Sequence, residues 1–320
     1  MFQEKLIAAL YKKKRLSSSL IADLADVLAI SYDAAHRRIS MKSKFSIDEA
    51  VLLSKYYGLS LDNLFQGEDH VLVKKTKEIN GFAGLSRYLA SAYGSLSEHE
   101  AATSTQIYYS AKDIPLFYTI HPGLLSKFKS FVWLNLLTNE QEASAFSAFK
   151  IAAPVVENSR NLCAFYENTT KHEIWNDTTI NSTLQQIVYF FQAGLLTVEH
   201  ALELCEEVKE LLARLEQQCT PKNELYRIYY HELLILNNNV LVADERQQSL
   251  FIPYTMLGYF ITKDVRTCSN ALDFFKHQLK NSKLLNTAGT RDKKMFFNRA
   301  YQKIEFYKQQ VLSSQDFSYL

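Results

Sequence analysis

Residues 20–65 read LIADLADVLAISYDAAHRRISMKSKFSIDEAVLLSKYYGLSLDNLF, three short amphipathic patterns with end signals between them. Leu20, Ile21, Leu24, Ala25 and Leu28 recur at helical spacing, with Asp23 and Asp26 opposite. After Ala29-Ile30-Ser31 a second pattern runs from Tyr32 to about Ser40, and a third from Ser46 to Tyr57. Ser46 and Glu49 have the spacing of a capping box, and Phe45 and Ala50 hold the hydrophobic-staple positions. Gly58 stands where a helix needs a left-handed residue to end, and Ser60 caps a last turn, residues 61–65. A preceding helix, residues 2–13, puts Phe2, Leu6, Ala9 and Leu10 on one face.

A helix, a tight turn and a second helix with basic residues is the arrangement that sets a helix in the DNA major groove. The stretch resembles the Cro/phage-repressor-type (XRE-like) helix-turn-helix family. The likeness runs without a gap from about Leu24 to Phe65. It rests on Leu24-Ala25-x-x-Leu28-Ala29-Ile30-Ser31, Ser46-x-x-Glu49 and Tyr57-Gly58-Leu59-Ser60-Leu61-Asp62-x-Leu64-Phe65. Two positions depart from the pattern. The turn residue, usually Gly, is Ala29, and the late apolar residue of the second helix is Arg38, with Ile39 beside it.

The resemblance implies a five-helix head that binds double-stranded DNA through Ser31, Tyr32, Asp33, His36, Arg37, Arg38 and Ser40, with Lys42 and Lys44 on phosphates. Arg37 is suited to a bidentate contact with guanine, and Tyr32 to a thymine methyl or a phosphate. Asp33 is awkward near phosphates; it either favours the helix N-terminus or accepts from a cytosine amine. Lys13, Lys14 and Arg15 end the first helix and are placed to contact phosphate beside the groove. Family precedent implies a homodimer on paired half-sites, because one short helix reads few base pairs.

Charge supports this placement. Residues 1–66 hold 10 Lys/Arg against 7 Asp/Glu, and residues 12–44 alone hold 8 against 3, although the whole chain is only +2. With 9 Gly and 5 Pro among 320 residues, few tight hairpins are expected. The expected class is mainly α: the helix-turn-helix head over 1–66, a linker over 67–80 and an α-rich (α+β) C-terminal domain with a small antiparallel sheet over 81–320.

Helices are expected over 82–99, 123–137, 140–152 (closed by Pro154), 155–166, 179–193, 197–217, 265–281 and 291–312. Charges and the short apolar run Val71-Leu72-Val73 suggest a linker or a single edge strand, and residues 105–110 read as a strand. Tyr226, Ile228 and Tyr230 alternate, Asn237-Asn238-Asn239 reads as a turn and Val240-Leu241-Val242 as a return strand, so a hairpin is expected. Residues 250–262 read as a strand or a buried helix. The segments AKDIPLF at 111–117 and HEIWNDTTINSTL at 172–184 resemble the C-terminal bodies of long bacterial regulators that carry such a head, a likeness that implies no ligand.

Nothing in the sequence points to catalysis. No G-x-G pair and no G-x-S-x-G occurs, and His231-Glu232 opens a zinc-protease pattern without its second His. Cys163, Cys205, Cys219 and Cys268 are too dispersed for a zinc site and fit a reducing compartment. No cofactor or metal is expected, and no run reads as a membrane span, so a cytoplasmic protein is expected. The aromatics Tyr226, Tyr229, Tyr230, Tyr254, Tyr259, Phe260, Phe274 and Phe275 either line an effector pocket or fill a core. The reading is a sequence-specific transcriptional regulator whose body dimerises or senses a small-molecule or protein effector. The alternatives are an interaction protein that uses the head as a packing module, and an enzyme whose site is invisible in sequence.

Overall fold

Apolar spacing at helical period dictates most of what forms. The computed structural model describes residues 2–13, 19–61, 64, 70–99, 104–138 and 145–315. The chain divides into two compact units, Met1–Leu72 and Val73–Leu320.

The first unit holds α1 (Phe2–Lys13), α2 (Leu20–Leu28), α3 (Tyr32–Ile39) and α4 (Ile47–Tyr57). Leu6, Leu10, Leu20, Leu24, Ala35 and Leu53 form its core, and Ile39 packs against them. The Ser46–Glu49 capping box is closed in both directions, and Gly58 ends α4 at φ 62°. Most of the last turn expected over 61–65 lies outside the described residues, as do Lys14 and Arg15; Leu61 and Leu64 pack on the core.

The second unit is built on a sheet of eight strands: β1 (Lys74–Lys75), β2 (Gln106–Ser110), β3 (Thr170–Trp175), β4 (Tyr226–Tyr230), β5 (Val240–Ala243), β6 (Gln248–Pro253), β7 (Tyr259–Thr262) and β8 (Lys283–Leu284). Their order is β1-β7-β6-β5-β2-β3-β4-β8. β2, β3 and β4 run parallel and the other pairings are antiparallel. The small antiparallel sheet expected from sequence is therefore larger and mixed.

The helices of this unit are α5 (Gly81–Leu96), α6 (Leu116–Thr119), α7 (Leu124–Leu137), α8 (Ala153–Asn168), α9 (Asn181–Gln192), α10 (Val198–Gln218), α11 (Val265–Lys280) and α12 (Thr290–Gln315). They cover the sheet unequally. One face, with Ile107, Tyr109, Trp175, Tyr226, Ile228 and Val242, meets the large core built with α5–α10 and α12. The other, with Tyr108, Ile174, Leu241 and Leu250, is covered by α11 alone among the described helices, through Cys268 and Phe275.

Four expectations are corrected, and one left open between strand and helix is decided. β4 and β5 do not form a hairpin; β2 and β3 lie between them, and residues 231–239 are a crossover. Residues 250–262 hold parts of two strands joined by a turn. The described part of 140–152, residues 145–152, is turn and extended chain rather than helix. Pro154 opens α8 instead of closing its predecessor, since a first-turn Pro gives up no helical hydrogen bond. The edge strand falls at 74–75, just after the apolar run at 71–73.

Candidate functional site

The turn between α2 and α3 is built on a left-handed alanine. Ala29 adopts φ 52° and ψ 43°, and the amides of Ala29 and Ile30 return to Asp26 and Ala25 to satisfy the end of α2. Ser31 then caps α3, its Oγ accepting from the Ala34 amide at 3.2 Å. Ala35 is fully buried and turns that side of α3 inward.

The opposite side faces water. Ser31, Tyr32, Asp33, His36, Arg37 and Ser40 are all exposed, as are Lys42 and Lys44 beyond the helix and Lys13 at the end of α1. The i, i+3 and i+4 spacings of Asp33, His36, Arg37 and Ser40 make one face. Asp33 lies in the first turn of α3 and His36, Arg37 and Arg38 in its last, each sign matching the helix dipole.

Arg38 is placed differently from its neighbours. Its Nε donates to Glu49 Oε2 at 3.0 Å, its Nη2 to Glu49 Oε1 at 2.6 Å, and its Nη1 to the Ala34 carbonyl at 3.2 Å. The hydrogen bond from Arg38 is the main cause that holds the Glu49 carboxyl below its ordinary range. With its guanidinium committed, Arg38 braces α3 on α4, and Ile39 supplies the apolar contact missing at position 38.

A second brace was not visible in sequence. Gln3 donates from Nε2 to the Arg38 and Ser43 carbonyls at 2.9 and 2.8 Å, and its Oε1 accepts from the Phe45 amide at 3.3 Å. One side chain of α1 thus spans the loop after α3. An exposed-looking Gln near a chain start carries no signal of that role.

In the second unit a buried carboxylate is fully solvated by protein. Glu173 Oε1 accepts from Tyr118 and Tyr166 hydroxyls at 2.6 and 2.5 Å, and Oε2 from Trp175 Nε1 at 2.7 Å and the Tyr226 hydroxyl at 3.4 Å. Burial raises its pKa despite these donors.

His99, Asp244 and Ser249 stand in the atom order of a hydrolase triad. Asp244 Oδ2 lies 2.5 Å from His99 Nδ1, and Ser249 Oγ lies 2.9 Å from Nε2. His99 and Ser249 have no exposed surface and the Asp244 side chain is 3 % exposed. The trio clasps the turn after α5 to β5 and β6, with Ser249 buried among the described residues.

The aromatics divide. Tyr226 and Phe275 fill cores, Phe274 is exposed, and Tyr254 and Tyr259 line a cavity. The four cysteines are buried and free, and burial raises each thiol, Cys163 and Cys205 to about 12 and Cys219 to about 11. Among the described residues no three His, Cys, Asp or Glu side chains converge as metal ligands, and no helix is long and apolar enough to cross a membrane. Compared with models of protein families, with curated proteins and with solved structures, the chain finds no match.

Proposed function

We propose that the protein is a sequence-specific DNA-binding transcriptional regulator in which α2 and α3 act as a helix-turn-helix and α3 enters the major groove. The observation that carries this reading is the exposed face of α3, with Ser31, Tyr32, Asp33, His36, Arg37 and Ser40 free of the core while Arg38 and Ala35 tie the helix down. Arg37 is the base-reading residue, by bidentate donation to guanine. Lys13, Lys42 and Lys44 neutralise flanking phosphates and fix the register. Arg38 is left out of the contact set, because three of its N–H groups hold it against Glu49 and Ala34. The working form is a homodimer, each copy reading one half-site.

Genomic footprinting of the full chain supplies the bound sequence, and titration of that duplex over a range of salt tests the reading. Affinity is expected to fall steeply as salt rises. Arg37→Ala is expected to lose discrimination between the footprinted site and a scrambled duplex, by roughly 1–3 kcal/mol, while baseline binding persists. Unchanged discrimination in Arg37→Ala, or binding indifferent to salt, would overturn it.

A further inference from the structure

We propose that the crevice at the carboxyl end of β2 is a binding site for a small organic anion with a ring-sized body. The cavity holds about 400 Å³. Its position follows from topology. From β2 the chain moves to β3 and β4 on one side, and it later returns to β2's other edge as β5. Open sheets leave a crevice outside the strand ends where the connections part in this way.

The two segments that resemble regulator bodies meet at this place. Thr179 Oγ1 donates to the Ala111 carbonyl at 2.7 Å, and Thr183 Oγ1 to Asp113 Oδ1 at 3.1 Å. Segment 111–117 thus packs on segment 172–184, and the two form one side of the cavity together with Gln186 of α9.

The hydrogen-bond inventory decides what fits. Lys129 is 2 % exposed, and its ammonium reaches Asp113 Oδ2 at 3.3 Å and Gln186 Oε1 at 3.0 Å. An ammonium has three protons, so one is left without a partner among the described residues. Gln186 spends its oxygen on Lys129, and Asn238 spends its own on the Asp113 amide at 3.1 Å. Each amide therefore keeps its NH2 end, and no described residue accepts from either. Asp113 Oδ1 accepts from Thr183 and the Ile114 amide, and Oδ2 from Lys129.

The free ends of Lys129, Gln186 and Asn238 are therefore all donors. The charged residues of the lining are Lys112, Asp113 and Lys129, one positive charge in excess. A ligand that completes this site brings acceptor oxygens and negative charge. The flat walls from Tyr109, Trp133, Tyr254 and Tyr259 suit a planar body beside the anionic group.

The site stands whether or not residues 1–72 bind DNA, and its test uses the full chain without DNA. Trp133 lines the cavity, so its fluorescence is titrated with benzoate, phenyl phosphate, neutral benzamide and inorganic phosphate. A saturable change is expected with one or both ring anions. Benzamide is expected to bind at least about tenfold more weakly, as is inorganic phosphate, the first lacking charge and the second a ring. Lys129→Met is expected to abolish the response. Should that variant fail to fold, Gln186→Leu and Lys112→Ser are each expected to weaken binding severalfold with the far-ultraviolet spectrum unchanged. Trp133→Phe is expected to remove the fluorescence signal while calorimetry still detects binding. No saturable response to either ring anion, equal affinity for benzamide, or full binding in the folded lysine and glutamine variants would each overturn the proposal.

Discussion

Arg38 lays its guanidinium across both carboxylate oxygens of Glu49, and one of those oxygens also accepts the Ser46 amide at 2.9 Å to close the cap of α4. A single carboxylate thus joins the exposed helix α3 to the start of the next. Glu49→Ala loses the carboxylate half of the capping box and the ion pair together and is expected to destabilise the first unit by about 2 kcal/mol, against about 1 kcal/mol for Arg38→Ala. Arg38→Lys is expected to recover little, since a point charge cannot make the fork. The folded pKa of Glu49 is lowered, so this stability is present above the ordinary carboxylate range and is lost as pH falls through the folded value. Hydrogen exchange at the α3 and α4 amides of the full chain checks both statements.

Ala29 holds a left-handed conformation that costs an L-residue about 1–2 kcal/mol. Glycine adopts it freely but loses more entropy on folding. Ala29→Gly is expected to stabilise the first unit by up to about 1 kcal/mol, seen as slower hydrogen exchange in α2 and α3.

Phosphate contacts and base contacts predict different variants. Lys42→Ala with Lys44→Ala is expected to weaken binding to every duplex alike and to reduce the slope of log affinity against log salt by roughly 2. Arg37→Ala is expected to leave that slope nearly unchanged. Parallel salt titrations of the two proteins distinguish the roles.

His172 stacks on Tyr108 with ring centres 5.0 Å apart and lies near Tyr229 on the sheet face below α11. Burial, then the neighbouring Arg227, lowers its pKa to about 4. A depressed folded value means the unfolded chain takes the proton first. The contribution is therefore complete above about pH 6.5 and is lost as pH falls through 4. His172→Phe is expected to flatten the stability profile between these values, measured by urea unfolding across pH.

The His99 clasp is expected to act in stability alone. His99→Ala leaves Asp244 Oδ2 and Ser249 Oγ without their imidazole partner, while Asp244 Oδ1 keeps the Arg246 and Gln247 amides, and is expected to cost about 3 kcal/mol, with Ser249→Ala costing about 1 kcal/mol. Thermal unfolding checks the order. Covalent labelling of Ser249 by a serine-directed phosphonate in the folded protein would contradict it.

The first unit was readable because its signals are local: caps, a left-handed glycine and apolar spacing all lie within a few residues of what they determine. β3 was missed for the opposite reason. Its sequence TKHEIW shows charges at alternate positions, yet Lys171 and Glu173 point into the core and are 5 % and 0 % exposed. What admits Glu173 is a set of donors from three other elements, Tyr118, Tyr166 and Tyr226, together with Trp175 two residues on. No local pattern announces them. The β4–β5 hairpin failed because Asn237-Asn238-Asn239 has turn chemistry, whereas strand partners are chosen by crossovers. The crevice of Lys129 and Asp113 was illegible because its walls come from separate segments, although 111–117 and 172–184 had each stood out.

β1 is only two residues long, and it is where the second unit begins. Thr76 beyond it exchanges hydrogen bonds with Tyr259, and the Lys75 ammonium sits 5.5 Å from the centre of the Tyr254 ring. Both tyrosines wall the crevice. So short a ladder peels at small cost. Lys75 and Thr76 are tied directly to the aromatic side of the crevice, like a drawstring threaded at the mouth of a bag.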